Sequence, residues 1–178
     1  MHARRGRGLT AMVSAGILTL IFVPGASAAK APRLSGTFRT ELKITYEKNL
    51  AGLKVGSSGT TTWTFAPRCR SGSCTTILDR PSILPGSTTV YVYALKPVSA
   101  TRYGGSIKPV VVPCLNQNGS VRVAAGLTNY QTIVLNVTKA AGGNVTAFTG
   151  SQHTIAVPTA LGKAHGCTSG EQHATFKG

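Results

Sequence analysis

Acidic side chains are scarce in this chain. Glu41, Glu47, Asp79 and Glu171 are its only four, against 19 lysines and arginines in 178 residues. Paired glycosidase carboxylates stand about 5–9.5 Å apart. Glu41 and Glu47 fall on one strand face, but six residues of strand separate them by roughly 20 Å. No spacing joins Asp79 or Glu171 to another acid. Histidine is also sparse. His153, His165 and His173 show no HExxH or other ligand spacing and read as exposed loop or strand-end residues. His165 lies two residues before Cys167, so a Cys/His zinc site would compete with a disulfide. There is no G-x-S-x-G elbow, and a Ser-His-Asp triad would have to draw on Asp79 or a glutamate. The G-x-G at Gly6 and Gly8 lies in a targeting segment and is no phosphate loop. Neither a catalytic residue, a metal nor a cofactor is expected, and a hydrolase is the least favoured class.

A long apolar run is missing as well. Leu9 to Val23 is short for a membrane span and is broken by Gly16. With Arg4, Arg5 and Arg7 before it and Ala26-Ser27-Ala28 after it, the stretch reads as a signal peptide over residues 1–28. No cysteine near the cut suggests a lipid anchor, and the C-terminus is short and polar. The expectation is a secreted, extracytoplasmic protein with no membrane span. Residues 29–35, with Pro32, read as a flexible leader, and 36–178 as a single domain.

All four cysteines follow residue 28, and an even count in an exported chain argues for two disulfides. Four cysteines allow three pairings. Proximity favours Cys69–Cys74, which leaves Cys114–Cys167. The segment 1–28 holds three of the 19 basic residues and none of the four acids, so residues 29–178 carry +12. Such a charge favours polyanions, wall polymer or anionic lipid surfaces among them. The basic residues are spread out, however, without interleaved aromatics or a helix-turn-helix or zinc-finger pattern, so no specific nucleic-acid partner is expected. A solubilising surface is the plainer reading of the charge.

The stretch from Gly59 to Cys74 carries the clearest structural statement. Trp63 and Phe65 alternate with Thr62 and Thr64, the period of a half-buried strand. Pro67 ends that run, Ser71-Gly72 turns the chain between Cys69 and Cys74, and Thr75 to Leu78 returns. Trp63, the only tryptophan, is either a stacking platform for a ligand or a core plug, and the heavy average burial of tryptophan favours the core. Gly36 to Lys48 alternates too, with Phe38, Leu42, Ile44 and Tyr46 on one face and Arg39, Glu41, Lys43 and Glu47 on the other. Further strands are expected at Thr88–Leu95, at Arg102–Pro113 split by Gly104-Gly105 and Pro109, at Val121–Ala125, Gln131–Lys139, Val145–Thr149, Thr154–Val157 and His173–Lys177. Asn118-Gly119 is a hairpin turn, and Gly162 to Gly170 reads as a loop. Asn118, Asn136 and Asn144 match the glycan acceptor pattern, which chance supplies readily in a threonine-rich chain.

Eight or nine short strands, short links and no amphipathic helix predict an all-β fold. An antiparallel up-and-down barrel of about eight strands is the first choice, and a two-sheet sandwich the alternative. An eight-stranded barrel can hold one small ligand, and Phe38, Leu42, Ile44, Tyr46, Trp63 and Phe65 are the lining candidates. The same residues would serve a filled core.

The spacing Trp63-x-Phe65-x-Pro67-x-Cys69-x-Ser71-Gly72-x-Cys74 resembles one found in secreted actinobacterial β-proteins of unknown function and in extracytoplasmic tails of bacterial membrane proteins, receptor-like Ser/Thr kinases among them. The likeness extends loosely to Tyr103-Gly104-Gly105, Cys114 and Cys167. It implies bacterial export and a binding or structural role, with no catalytic residues to carry over. The chain itself has no kinase domain. The functional expectation is therefore a monomeric, non-enzymatic binding module for a small apolar ligand. The alternative is a basic envelope protein that holds anionic wall polymer or membrane surface.

Overall fold

The computed structural model describes residues 31–50, 54–70, 73–83, 87–116 and 118–178. The expected signal peptide lies outside these residues. Nine strands and one short helix follow in order: β1 (Gly36–Lys48), β2 (Ser58–Arg70), β3 (Ser73–Pro81), β4 (Val90–Ser99), β5 (Arg102–Ser106), β6 (Val110–Leu115), β7 (Val121–Ala141), β8 (Asn144–Pro158), α1 (Ala160–Ala164) and β9 (Gly170–Lys177). Eight of the strands close on themselves in the order β5-β4-β3-β2-β1-β9-β8-β7, with β5 pairing back to β7. The all-β, antiparallel up-and-down expectation holds, although the closed sheet is not a regular barrel.

β7 and β8 are the longest strands, 21 and 15 residues. The sequence suggests two strands in each of these places, Val121–Ala125 then Gln131–Lys139 and Val145–Thr149 then Thr154–Val157, and Gly126 and Gly150 fall in the gaps between them. Both glycines instead lie within strands because another group needs their missing side chain. A Cβ on Gly126 would sit 2.4 Å from the Cβ of Cys114, and one on Gly150 would sit 2.2 Å from Phe176. Likewise Gly105 does not break β5, where a Cβ would meet the Ala94 carbonyl oxygen at 2.3 Å. The break falls at residues 107–109, where Pro109 cannot donate to a ladder. β6 then resumes along the same edge of β7, with Tyr103 opposite Leu135 and Val110 opposite Asn129.

Both expected disulfides form, Cys69–Cys74 across the β2–β3 turn and Cys114–Cys167 between β6 and the segment after α1. The latter staples a small second core of Cys114, Val123, Leu127, Ala156 and Cys167. The loop expected from Gly162 contains the end of α1, capped by Thr159, whose Oγ1 accepts from Gly162 N at 3.0 Å. No helix among the described residues is long and apolar enough to cross a membrane.

The main core fills the closed sheet. Trp63, Phe65, Phe148 and Phe176 are buried together, with Phe38 packed edge-on against Phe65 and Phe148. Residues 31–35 of the expected leader are held against this end. Leu34 is buried, Arg33 bonds to Gly143 and Val145 through its backbone, and the Tyr103 hydroxyl donates to the Pro32 carbonyl. In β4, Tyr93 and Leu95 face inward, leaving Val90, Val92 and Ala94 outside.

Candidate functional site

The opposite end of the interior is polar. Arg80 on β3, Tyr93 on β4, Gln131 on β7, and Gln152 and Thr154 on β8 are inward positions of their strands. Cross-strand registry brings them to one level: Gln131 pairs with Thr154, Ile133 with Gln152, and Leu78 with Tyr93. The Tyr93 hydroxyl donates to Gln131 Oε1 at 2.6 Å, and Arg80 Nη2 donates to the same oxygen at 3.4 Å. Gln152 Nε2 donates to Thr154 Oγ1 at 3.1 Å. Burial raises the Tyr93 pKa above its ordinary value, and the neighbouring Arg80 charge only partly opposes that.

A cavity of about 130 Å³ opens among these groups, lined also by Leu42, Ile44, Leu50, Ile83 and Tyr91. Leu50, Tyr91 and Asn129 also line a larger outer groove of about 690 Å³, where Arg122 stands. Three buried polar atoms of the described residues lack a hydrogen-bond partner: Arg80 Nε, Asn129 Oδ1 and Gln152 Oε1. All three belong to residues lining the inner cavity.

Arg80 is 4% exposed. Its guanidinium stacks over Tyr91 and Tyr93, and among the described residues no carboxylate pairs with it. The four acids lie elsewhere. Glu41 pairs with Lys177, Glu171 lies against two histidines, and Asp79 is exposed on β3. The shared face expected for Glu41 and Glu47 is interrupted by a β-bulge between Ile44 and Tyr46. Beyond it Tyr46 packs outside against His173, and Glu47 borders the outer groove, its Oε1 accepting from Leu50 N at 2.6 Å.

The six lining candidates therefore separate. Leu42 and Ile44 border the inner cavity. Trp63 and Phe65 sit in the packed aromatic end, where Trp63 is fully buried, and Phe38 packs against that cluster. Tyr46 is on the outer surface. The polar members were missed because a lone arginine, asparagine or glutamine in a strand pattern looks like surface. The available signal was Arg80 itself, which falls on the same face of β3 as Leu78.

The outer surface holds one further cluster. His153 on β8 and His173 on β9 stand opposite each other, and Glu171 lies two residues before His173 on the same face. Glu171 Oε1 accepts from His153 Nε2 at 2.7 Å and from His173 Nε2 at 3.0 Å. Those bonds, the His173 one first, hold the Glu171 carboxyl below its usual pKa. The third histidine, His165, caps the end of α1 and stands apart. No family model matches the chain, and no curated protein or solved structure is significantly similar to it.

Proposed function

We propose that the protein is an extracytoplasmic, non-enzymatic binding module whose ligand is a small anion held in the polar end of the closed sheet. The observation that carries this reading is the buried, acid-free environment of Arg80, with the partnerless atoms of Arg80, Asn129 and Gln152 around one cavity. Isolated buried charge is costly, and a bound carboxylate or phosphate oxygen would offset that cost with a charge-assisted bond. The amide oxygens of Asn129 and Gln152 ask for donors, so a ligand bearing hydroxyl or amino groups beside its anionic group fits best. The apolar end of the interior is filled with side chains, which turns the reading from an apolar ligand to a polar one. The two disulfides and the resemblance around Trp63 to Cys74 support export.

Native mass spectrometry of protein purified from its own culture medium tests the reading. A bound mass that leaves on denaturation, and that is absent from R80Q prepared the same way, is the expected result. A bare mass, together with no thermal shift from a panel of small hydroxy- and amino-carboxylates and phosphates, would overturn it.

The +12 charge of residues 29–178 favours a second reading, retention on anionic envelope polymer. That binding would be lost at high salt and would not depend on Arg80.

A further inference from the structure

The geometry points to a divalent transition-metal site on the outer surface of the β8–β9 pair, formed by His153, Glu171 and His173 and taking an ion of the zinc type. The site is separate from the interior cavity and does not depend on it. The two imidazole nitrogens and one carboxylate oxygen all lie within 4.8 Å of one another. A tetrahedral ion with bonds of about 2.0–2.1 Å asks for ligand atoms roughly 3.3 Å apart. Glu171 Oε1 is now 2.7 Å from one nitrogen and 3.0 Å from the other. An ion entering between them needs those two contacts to open by about 0.3–0.6 Å and the two imidazole nitrogens, which lie within 4.8 Å of each other, to draw in to the same spacing by rotation of the side chains.

The backbone supplies the arrangement. His153 and His173 are direct cross-strand partners, and Glu171 and His173 are two apart on β9, so all three project from the same face. Their side chains are 37%, 39% and 47% exposed for His153, Glu171 and His173. An ion can therefore reach them, and water can complete its shell. Two imidazoles and one carboxylate with an open position form a donor set used by zinc, and the imidazoles favour zinc, copper or nickel over magnesium and calcium.

The neighbours are compatible with this role. Tyr46 packs edge-on against the His173 imidazole at 5.2 Å and limits its swing. Lys48, at the end of β1, stands directly opposite Glu171 on β9 but makes no ion pair with it. In the ion-free cluster both Nε2 atoms act as donors to the carboxylate. Binding converts each Nε2 to a lone-pair ligand. Its proton either moves through solvent to Nδ1, if the imidazole is neutral, or is released.

Calorimetric titration of the full chain, stripped of metal by a chelator, with Zn²⁺ tests the site. The expected result is one ion per chain, with affinity falling about tenfold or more in H153Q and in H173Q and unchanged in H165Q. Mg²⁺ at the same concentration should give no binding. Each variant is checked by urea unfolding, where an unchanged midpoint shows that lost affinity is lost ligation. No zinc binding by the natural sequence, or binding retained in both H153Q and H173Q, would overturn the proposal.

Discussion

The Arg80 guanidinium lies 4.5 Å from the centroid of the Tyr91 ring, inside a closed sheet in which no described carboxylate pairs with it. A cation placed this way is poorly explained by stability. Replacing buried charge with an apolar residue of similar volume is often neutral or stabilising. The R80M variant, without ligand, should therefore be as stable as the natural protein or more stable by about 1 kcal/mol. Urea unfolding measures this as an equal or raised midpoint at unchanged slope. A loss of several kcal/mol would instead assign Arg80 to holding the fold.

Tyr93 makes stability sensitive to alkali. Its ordinary pKa of 10.0 is raised in the folded protein by burial, against the opposing pull of Arg80 and with Tyr91 also beside it. The unfolded chain releases the phenolic proton first. Stability is therefore full below pH 10.0 and is lost as pH rises from there through the folded pKa. Tyr103, also raised by burial, adds a loss of the same sign. In Y93F the alkaline decline should be shallower. Near neutral pH that variant should be about 1 kcal/mol less stable, because the hydroxyl donated to Gln131 is gone. Unfolding midpoints from neutral pH to beyond the ordinary tyrosine pKa would show the two curves converging. Parallel curves would exclude Tyr93 as the source.

The repeating chemistry of the strands was the legible part of the sequence. Trp63 and Phe65 on one face, Leu42 and Ile44 on another, and Asn118-Gly119 between strands give an antiparallel meander, and proximity gave both cysteine pairs. The parts that misled are those where one residue serves a partner far away in sequence. Gly105 looks like a break in its strand, and Gly126 and Gly150 fall in gaps between expected strands, until the Ala94 carbonyl, Cys114 and Phe176 are set against them. Tyr46 keeps the period of β1 in sequence, but a bulge sends it outside. Both candidate sites have the same character. His153 and His173 are twenty residues apart and meet only through the register of β8 on β9, whereas Arg80 and Gln131, fifty-one apart, meet only because the sheet closes.

The two disulfides should differ in what they contribute. Cys69 and Cys74 are five residues apart, whereas Cys114 and Cys167 are 53 apart. Loop-closure entropy in the unfolded chain assigns about 2 kcal/mol to the short bridge and about 4 kcal/mol to the long one. C69S/C74S should lower the urea midpoint modestly, and C114S/C167S about twice as much. The second double variant should also loosen α1, since Gly126 and Cys167 pack together beneath it. Amide hydrogen exchange at Lys163 and His165 that is faster than in the natural protein, with the sheet amides changed less, would show that loosening. Equal losses for the two variants would mean that native packing, not unfolded-state entropy, sets their contributions.

Leu34 decides whether the segment before β1 is a leader or part of the fold. It is 1% exposed and sits in the main core, and the Thr76 hydroxyl donates to its carbonyl at 3.4 Å. Its neighbours Pro32 and Arg33 hold Tyr103, Gly143 and Val145. Truncating a buried leucine costs the lost transfer energy plus the cavity left behind, so L34A should destabilise by about 3 kcal/mol. Leu161 on α1 is 51% exposed, and L161A is the matched control expected to change little. If L34A behaved like L161A, residues 31–35 would only rest on the closed sheet. If it shows the full cost, those residues plug the aromatic end of the interior. Small molecules would then have to enter from the other end, past Leu50, Tyr91 and Asn129, where Arg80 waits.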